Sequence, residues 1–419
     1  MAELINTARE EAPVKAILVT VDTGEFDAEL SLSELEELAK TAGAETVATV
    51  TQKRPAPDTA TYIGSGRLSE LTSDIEVLGA ELLIFDCELT ANQTRNIEEI
   101  TDTRVIDRTT LILDIFAARA VSGEGRIQVE LAQQKYRLAH LAGKGIALSR
   151  LGGGIGTRGP GESKLETDRR HIRRRIEALE EELEDIKKRR GLIRSRRKKD
   201  NVITAAVVGY TNVGKSTLLN ALTDAGVLAE DKLFATLDIT SRAIELPDGR
   251  SVLLADTVGL IRRLPHHLVE AFRSTLEEAS NADIIINVID ISSEDAYGQA
   301  KVTEELLNDL GCEGIPRITV LNKCDKLIGY ENIPEDSTTV KISAKQKMGF
   351  DRLLMCIAEN LPATSTRGRF IIPYDKGGLL SSIRSEGKIF SEEYEADGVK
   401  IDALVDNKML YAVEEYACE

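Results

Sequence analysis

VITAAVVGYTNVGKSTLLNAL, residues 202–222, carries G-x-x-x-x-G-K-[ST] in full, between an apolar β-type run and the start of a helical run. The pattern needs that context: a strand, a glycine-rich turn, and a helix whose first amides face the turn. Gly209 and Gly214 let the backbone curl around Tyr210, Thr211, Asn212 and Val213, so that consecutive N–H groups converge on an anion. Lys215 reaches the β- and γ-phosphates of a nucleotide, and Ser216, followed by Thr217, offers a hydroxyl to Mg2+. The stretch predicts an α/β P-loop domain.

Three further motifs follow in order. SVLLADTVG (251–259) ends a strand with D-x-x-G. There Asp256 would hold the Mg2+ shell through water, Thr257 and Val258 fill the spacing, and the Gly259 amide would sense a γ-phosphate. RITVLNKCD (317–325) ends another strand with N-K-x-D. The Asp325 carboxylate accepts two hydrogen bonds from guanine N1–H and N2–H; adenine has no matching donors and would leave it unpaired. Asn322 can brace the loops, Lys323 can lie along the base, and Cys324 fills the spacing; Ser343, Ala344 and Lys345 supply a backbone amide for guanine O6. Four motifs at four strand ends predict GTP with Mg2+.

The threonine that closes on Mg2+ is less sharply placed by spacing. Thr236, flanked by Phe234, Ala235, Leu237 and Asp238, is preferred, with Thr240 and Thr223 nearby. This loop and the one after Gly259 would be two switches, ordered by GTP and released on hydrolysis. Leu260 stands where many GTPases place a water-orienting glutamine, so no catalytic side chain is assigned and intrinsic hydrolysis is expected to be slow. Arg262, Arg263, His266 and His267 read as an exposed helix start.

The remainder of the 419 residues divides by pattern. Residues 1–116 alternate strand and helix signals and predict a small, mostly parallel sheet. Residues 117–200 predict an antiparallel helical hairpin with a glycine-rich tip and a basic linker. Its seams are Ile127, Leu131, Gln134, Leu138 and Leu141 against Ile172, Ile176, Leu179, Leu183 and Ile186. LGGGIGTRGPGES (151–163) is the tip; it lacks a preceding strand and a GK[ST] ending, so it is not read as the phosphate cradle. The P-loop G domain spans 201–362 and a small α+β domain 363–419.

A net charge of −17 argues against attraction of the whole chain to DNA or to an anionic membrane. Against that trend, residues 135–175 hold eleven cations and three acids. Arg150, Arg158, Lys164, Arg169, Arg170, Arg173, Arg174 and Arg175 form a local footprint for RNA phosphates. Five scattered cysteines have no ligand spacing and read as reduced thiols, and no apolar run reaches the ~18 residues of a membrane span. A cytoplasmic monomer is expected, with peripheral membrane association left open.

The chain resembles the HflX family of GTPases. The resemblance rests on PDTATYIGSGRL (57–68), VIDRTTLILDIFAARA (105–120), GGGIGTRGPGESKLETDRR (152–170), GYTNVGKSTLLNAL (209–222), LFATLD (233–238) and DTVGLIRRLPHHLVEAFRSTLEEA (256–279). It implies a GTPase that binds the large ribosomal subunit and can split ribosomes; the basic footprint makes ribosomal RNA the expected contact and ribosome remodelling or splitting the expected outcome. It also assigns Thr236 to Mg2+ and an apolar residue to position 260. The competing reading is a GTP-switched protein adaptor with incidental RNA affinity.

Overall fold

The computed structural model describes residues 13–141, 160–200, 202–223, 233–234, 240–263, 265, 268, 277–361 and 365–418. The chain forms two compact units. The first runs to Lys188 and also contains Leu233, Phe234 and Arg263; the second begins at Arg189.

In the first unit, β1 (Val14–Asp22), β2 (Ala44–Lys53), β3 (Leu82–Phe85) and β4 (Arg104–Asp107) make a parallel sheet in the order β2-β1-β3-β4. β1 buries Ala16 to Val21 without interruption, and β3 buries all four residues, as strands covered on both faces must. The connecting helices are α1 (Ala28–Thr41), α2 (Ser65–Leu78), α3 (Ala91–Thr101) and α4 (Arg108–Arg119). Their starts are written in the sequence. Asp27 caps α1, Thr90 and Gln93 form a capping box on α3, and Asp107 caps α4.

The hairpin helices are α5 (Gly123–Leu141) and α6 (Pro160–Lys199). They pack along the expected seams: Leu131, Ile176 and Leu179 are buried together, with Ile127, Leu138, Ile172 and Leu183 half-buried around them. Bidentate Arg175–Glu130 and Lys135–Glu180 pairs flank that seam. The base of α5 is anchored by the Tyr136 hydroxyl, which donates to Asp107 at 2.7 Å. The basic linker expected before residue 200 is corrected by the structure. α6 continues to Lys199, because lysine and arginine are good helix formers and no proline interrupts them.

In the second unit, β5 (Ile203–Gly209), β6 (Ser241–Glu245), β7 (Ser251–Asp256), β8 (Ile284–Asp290), β9 (Arg317–Asn322) and β10 (Thr339–Lys341) form a sheet in the order β10-β9-β8-β5-β7-β6. Only β6 is antiparallel to its neighbour. β5 comes first in the sequence yet lies between β7 and β8. That reversal is a topological switch point, where α/β sheets bind ligands at strand C-termini. α7 (Lys215–Thr223), α8 (Ala296–Asp309) and α9 (Phe350–Asn360) complete this part. The last strands, β11 (Ser365–Ile372), β12 (Lys388–Tyr394), β13 (Val399–Asp406) and β14 (Ala417–Cys418), pair antiparallel as β12-β13-β11-β14. With α10 (Gly377–Glu386) and α11 (Asn407–Val413) they close a separate small core around Ile383, Ile401 and Val405.

Candidate guanine-nucleotide site

Three motifs converge at the C-terminal ends of β5, β7 and β9. The loop 209–214 is shaped by φ values of +147° at Gly209, +59° at Asn212 and +96° at Gly214. The glycines are also required by crowding. A Cβ at Gly209 would lie 2.3 Å from the Val288 carbonyl oxygen, and one at Gly214 2.4 Å from Asn322 Nδ2.

Lys215 is buried beneath this loop, its ammonium donating to the Gly209 and Tyr210 carbonyls at 3.0 and 2.7 Å. Burial pushes its pKa down to about 8, although the Asp256 carboxylate opposes the shift. Ser216 Oγ donates to Asp256 Oδ2 at 2.9 Å, and that carboxylate is completely buried. A hydroxyl and a carboxylate held together offer oxygen ligands only, which suits a hard cation such as Mg2+.

The D-x-x-G loop is laced to the phosphate loop. Thr211 N donates to Leu260 O at 2.7 Å, and Leu260 N to Gly209 O at 3.2 Å. Thr257 Oγ1 donates to Val207 O at 2.8 Å. A Cβ at Gly259 would come within 3.0 Å of Thr211 Cα and 3.2 Å of Lys215 Nζ, so this backbone sits directly against the phosphate loop. Val258 and Leu260 are buried.

Asn322 links two loops. Its Nδ2 donates to Val213 O at 2.7 Å while its Oδ1 accepts from Ala344 N at 3.0 Å, joining the phosphate loop to the Ser343–Ala344–Lys345 segment. Lys323 Nζ donates to Asn212 O at 2.8 Å and pairs with Asp290 at 2.7 Å. Cys324 is buried, Asp325 half-buried in the same 3-10 turn, Ser343 buried, and Lys345 exposed beside it. Thr217 follows in α7.

Several expected residues are placed elsewhere. Phe234 belongs to the first unit, where its buried ring meets Phe116 edge-on at 4.6 Å between centroids. Ala235, Thr236, Leu237, Asp238, His266, His267, Arg150, Arg158 and the Lys164 side chain lie outside the described residues.

Arg262 and Arg263 do not form an exposed helix start, which corrects that expectation. Arg262 pairs with Asp295, and its amide donates to the Tyr210 hydroxyl at 2.7 Å. Arg263 has φ +51°, pairs with the buried Asp86 at 3.1 Å, and covers the Phe26 ring at 4.2 Å. Asp290 is a site residue the sequence reading does not name, and the Tyr210 side chain has a role, through its hydroxyl, beyond the backbone one expected of it. An acidic residue ending the strand beside the P-loop strand would have signalled the first; spacing carries no signal for the second.

This fold and this set of loops define a P-loop GTPase. Matches to known families agree: residues 29–117 match "GTP-binding GTPase N-terminal", 119–197 "GTP-binding GTPase Middle Region", and 204–323 "50S ribosome-binding GTPase". The chain belongs to the GTPase HflX family. It is 52% identical to GTPase HflX of Caldanaerobacter subterraneus subsp. tengcongensis, over 93% of this chain and 91% of that protein. Identity to GTPase HflX of Lacrimispora saccharolytica is 50%, over 100% and 99% of the two chains. Identity to the Escherichia coli protein is 40%, over 93% of each. The chain is thus a GTP hydrolase, and among the described residues no helix is long and apolar enough to cross a membrane.

Proposed function

We propose that this GTPase binds the large ribosomal subunit through ribosomal RNA and couples its GTP state to ribosome remodelling or splitting. The observation that carries this reading is the arginine-rich start of α6. Arg170, Arg173 and Arg174 are exposed there, on a chain whose net charge is −17. The match of residues 204–323 to a family described as ribosome-binding supports the same partner. Arg175 is held by Glu130 and Arg169 is half-buried, so the three exposed arginines make the primary RNA contacts.

At the nucleotide, the 209–217 loop amides and Lys215 would hold the phosphates, and Asp325 with a backbone amide of the Ser343–Ala344–Lys345 segment would select guanine. Ser216, Asp256 through water, and Thr236 would hold Mg2+, which when bound supplies charge neutralisation at the β- and γ-phosphates. Lys215 Nζ is already held at the loop by the Gly209 and Tyr210 carbonyls, and a polyphosphate seated there would share or displace those bonds. Asn322 fixes the distance between the phosphate and base loops. Leu260 is apolar and buried, its amide tied to Gly209; it cannot orient water, so hydrolysis alone is slow and a bound ribosome completes the site.

The test is GTP hydrolysis with and without purified large subunits at two salt concentrations, followed by sedimentation of intact ribosomes with GTP or GDP. Salt-sensitive stimulation and GTP-dependent splitting are expected. Unstimulated hydrolysis would favour a GTP-switched protein adaptor instead.

A further inference from the structure

The charge along α6 is segregated. Glu177, Glu180, Glu181, Glu182, Glu184 and Asp185 form an acidic block. Lys187–Lys199 then holds nine cations in thirteen residues and no acid. Because this segment is helical, its side chains have fixed faces. Arg189, Leu192, Ile193 and Arg196 are spaced 3, 1 and 3, which places them on one face; Leu192 is 68% and Ile193 52% exposed, and both arginines are exposed. Arg194 is held by Glu278 at 2.9 Å and Lys188 by Asp185 at 3.3 Å. Arg189, Arg196, Arg197 and Lys199, by contrast, have no ion-pair partner among the described residues.

We infer that Arg189, Arg196, Arg197 and Lys199 form a second phosphate-binding surface for structured RNA, separate from the arginines at the start of α6. The acidic block between the two would repel a phosphate backbone, so one RNA strand cannot track along the helix; the two basic stretches engage different RNA segments. Guanidinium groups pair phosphates bidentately, and five of the nine cations are arginines. Two apolar side chains without an aromatic give too narrow a face for a membrane surface. The inference extends the ribosomal reading but needs only RNA as a partner.

The experiment uses the full chain with Arg189, Arg196, Arg197 and Lys199 all changed to Gln, which keeps helix propensity. Binding to purified large subunits and to a mixed-sequence RNA duplex is titrated against salt. The log K against log salt slope is expected to become shallower by about 3.6 on the duplex, from four lost phosphate contacts. Hydrolysis without ribosomes should not change. Lysine in place of the three arginines should retain the slope, and Arg170, Arg173 and Arg174 to Gln should remove a separate, additive share. An unchanged slope in the quadruple variant, with wild type still bound, overturns this surface alone. Wild type that fails to bind large subunits but binds the duplex through these four residues overturns the ribosomal reading alone. Loss confined to anionic vesicles, or to an acidic protein, would also overturn the RNA assignment.

Discussion

Lys215 and Gly259 show how much chemistry a single position commits to. In the nucleotide-free protein burial holds the Lys215 pKa at about 8, and a polyphosphate would restore the charge. Binding therefore takes up a proton at pH values above about 8, so GDP affinity should fall as pH rises through that value and be level below about pH 7. Calorimetry near pH ~8.5 in two buffers of different ionisation enthalpy reads the uptake; identical heats would mean the ammonium is already charged. Gly259→Ala should slow hydrolysis by about 100-fold, because displacing this backbone moves the loop that faces the phosphate. Comparable GDP affinity in that variant would locate the defect in γ-phosphate sensing, whereas unaltered turnover would show that the loop relaxes around the methyl. Both residues were legible from motif spacing, since a P-loop fixes its own local geometry. The Tyr210 hydroxyl was not, because its partner is an amide 52 residues away.

At the level of elements, the ends of β3 and α1 enclose a charge cluster. Arg108, at the start of α4, is almost fully buried between Asp86 and Glu34. Burial pulls its pKa down, but the two carboxylates outweigh that and hold it above the ordinary arginine value. Ser31, Thr20 and Arg263 also donate to Asp86. Arg108→Leu should cost about 3–5 kcal/mol, since it strands a buried carboxylate. Arg263→Ala should cost clearly less, because Asp86 keeps Arg108. Hydrogen exchange of the β1 and β3 amides under denaturant measures both; equal losses would show that Arg108 does not dominate. The helices and strands around this cluster could be read from period and caps, whereas the cluster itself could not. Asp86, Arg108 and Arg263 come from three distant segments, and exposed roles are the ordinary prior for such residues. The basic end of α6 has no core-forming residues either, and helical propensity alone decides its conformation.

For the whole molecule, the decisive quantity is where charge sits, not its sum. A chain of −17 should be repelled by a polyanion, yet Arg170, Arg173, Arg174, Arg189 and Arg196 of α6 all stand exposed. Between about 50 and 200 mM salt, large-subunit affinity is expected to fall by roughly 10³-fold or more; a weak dependence would mean the global charge prevails. The C-terminal sheet shows a different use of the same economy. Its edge strand β12 slips register between Ile389 and Ser391, and the Arg367 guanidinium lies 4.0 Å above the Phe390 ring. That ring also presses against Gly249, where a Cβ would lie 2.3 Å away. The opposite edge, β14, is only two residues long. A bulged, cation-covered strand and a stub give a newly made neighbouring chain no flat template to extend, so this small domain resists intermolecular strand pairing and aggregation at high local concentrations.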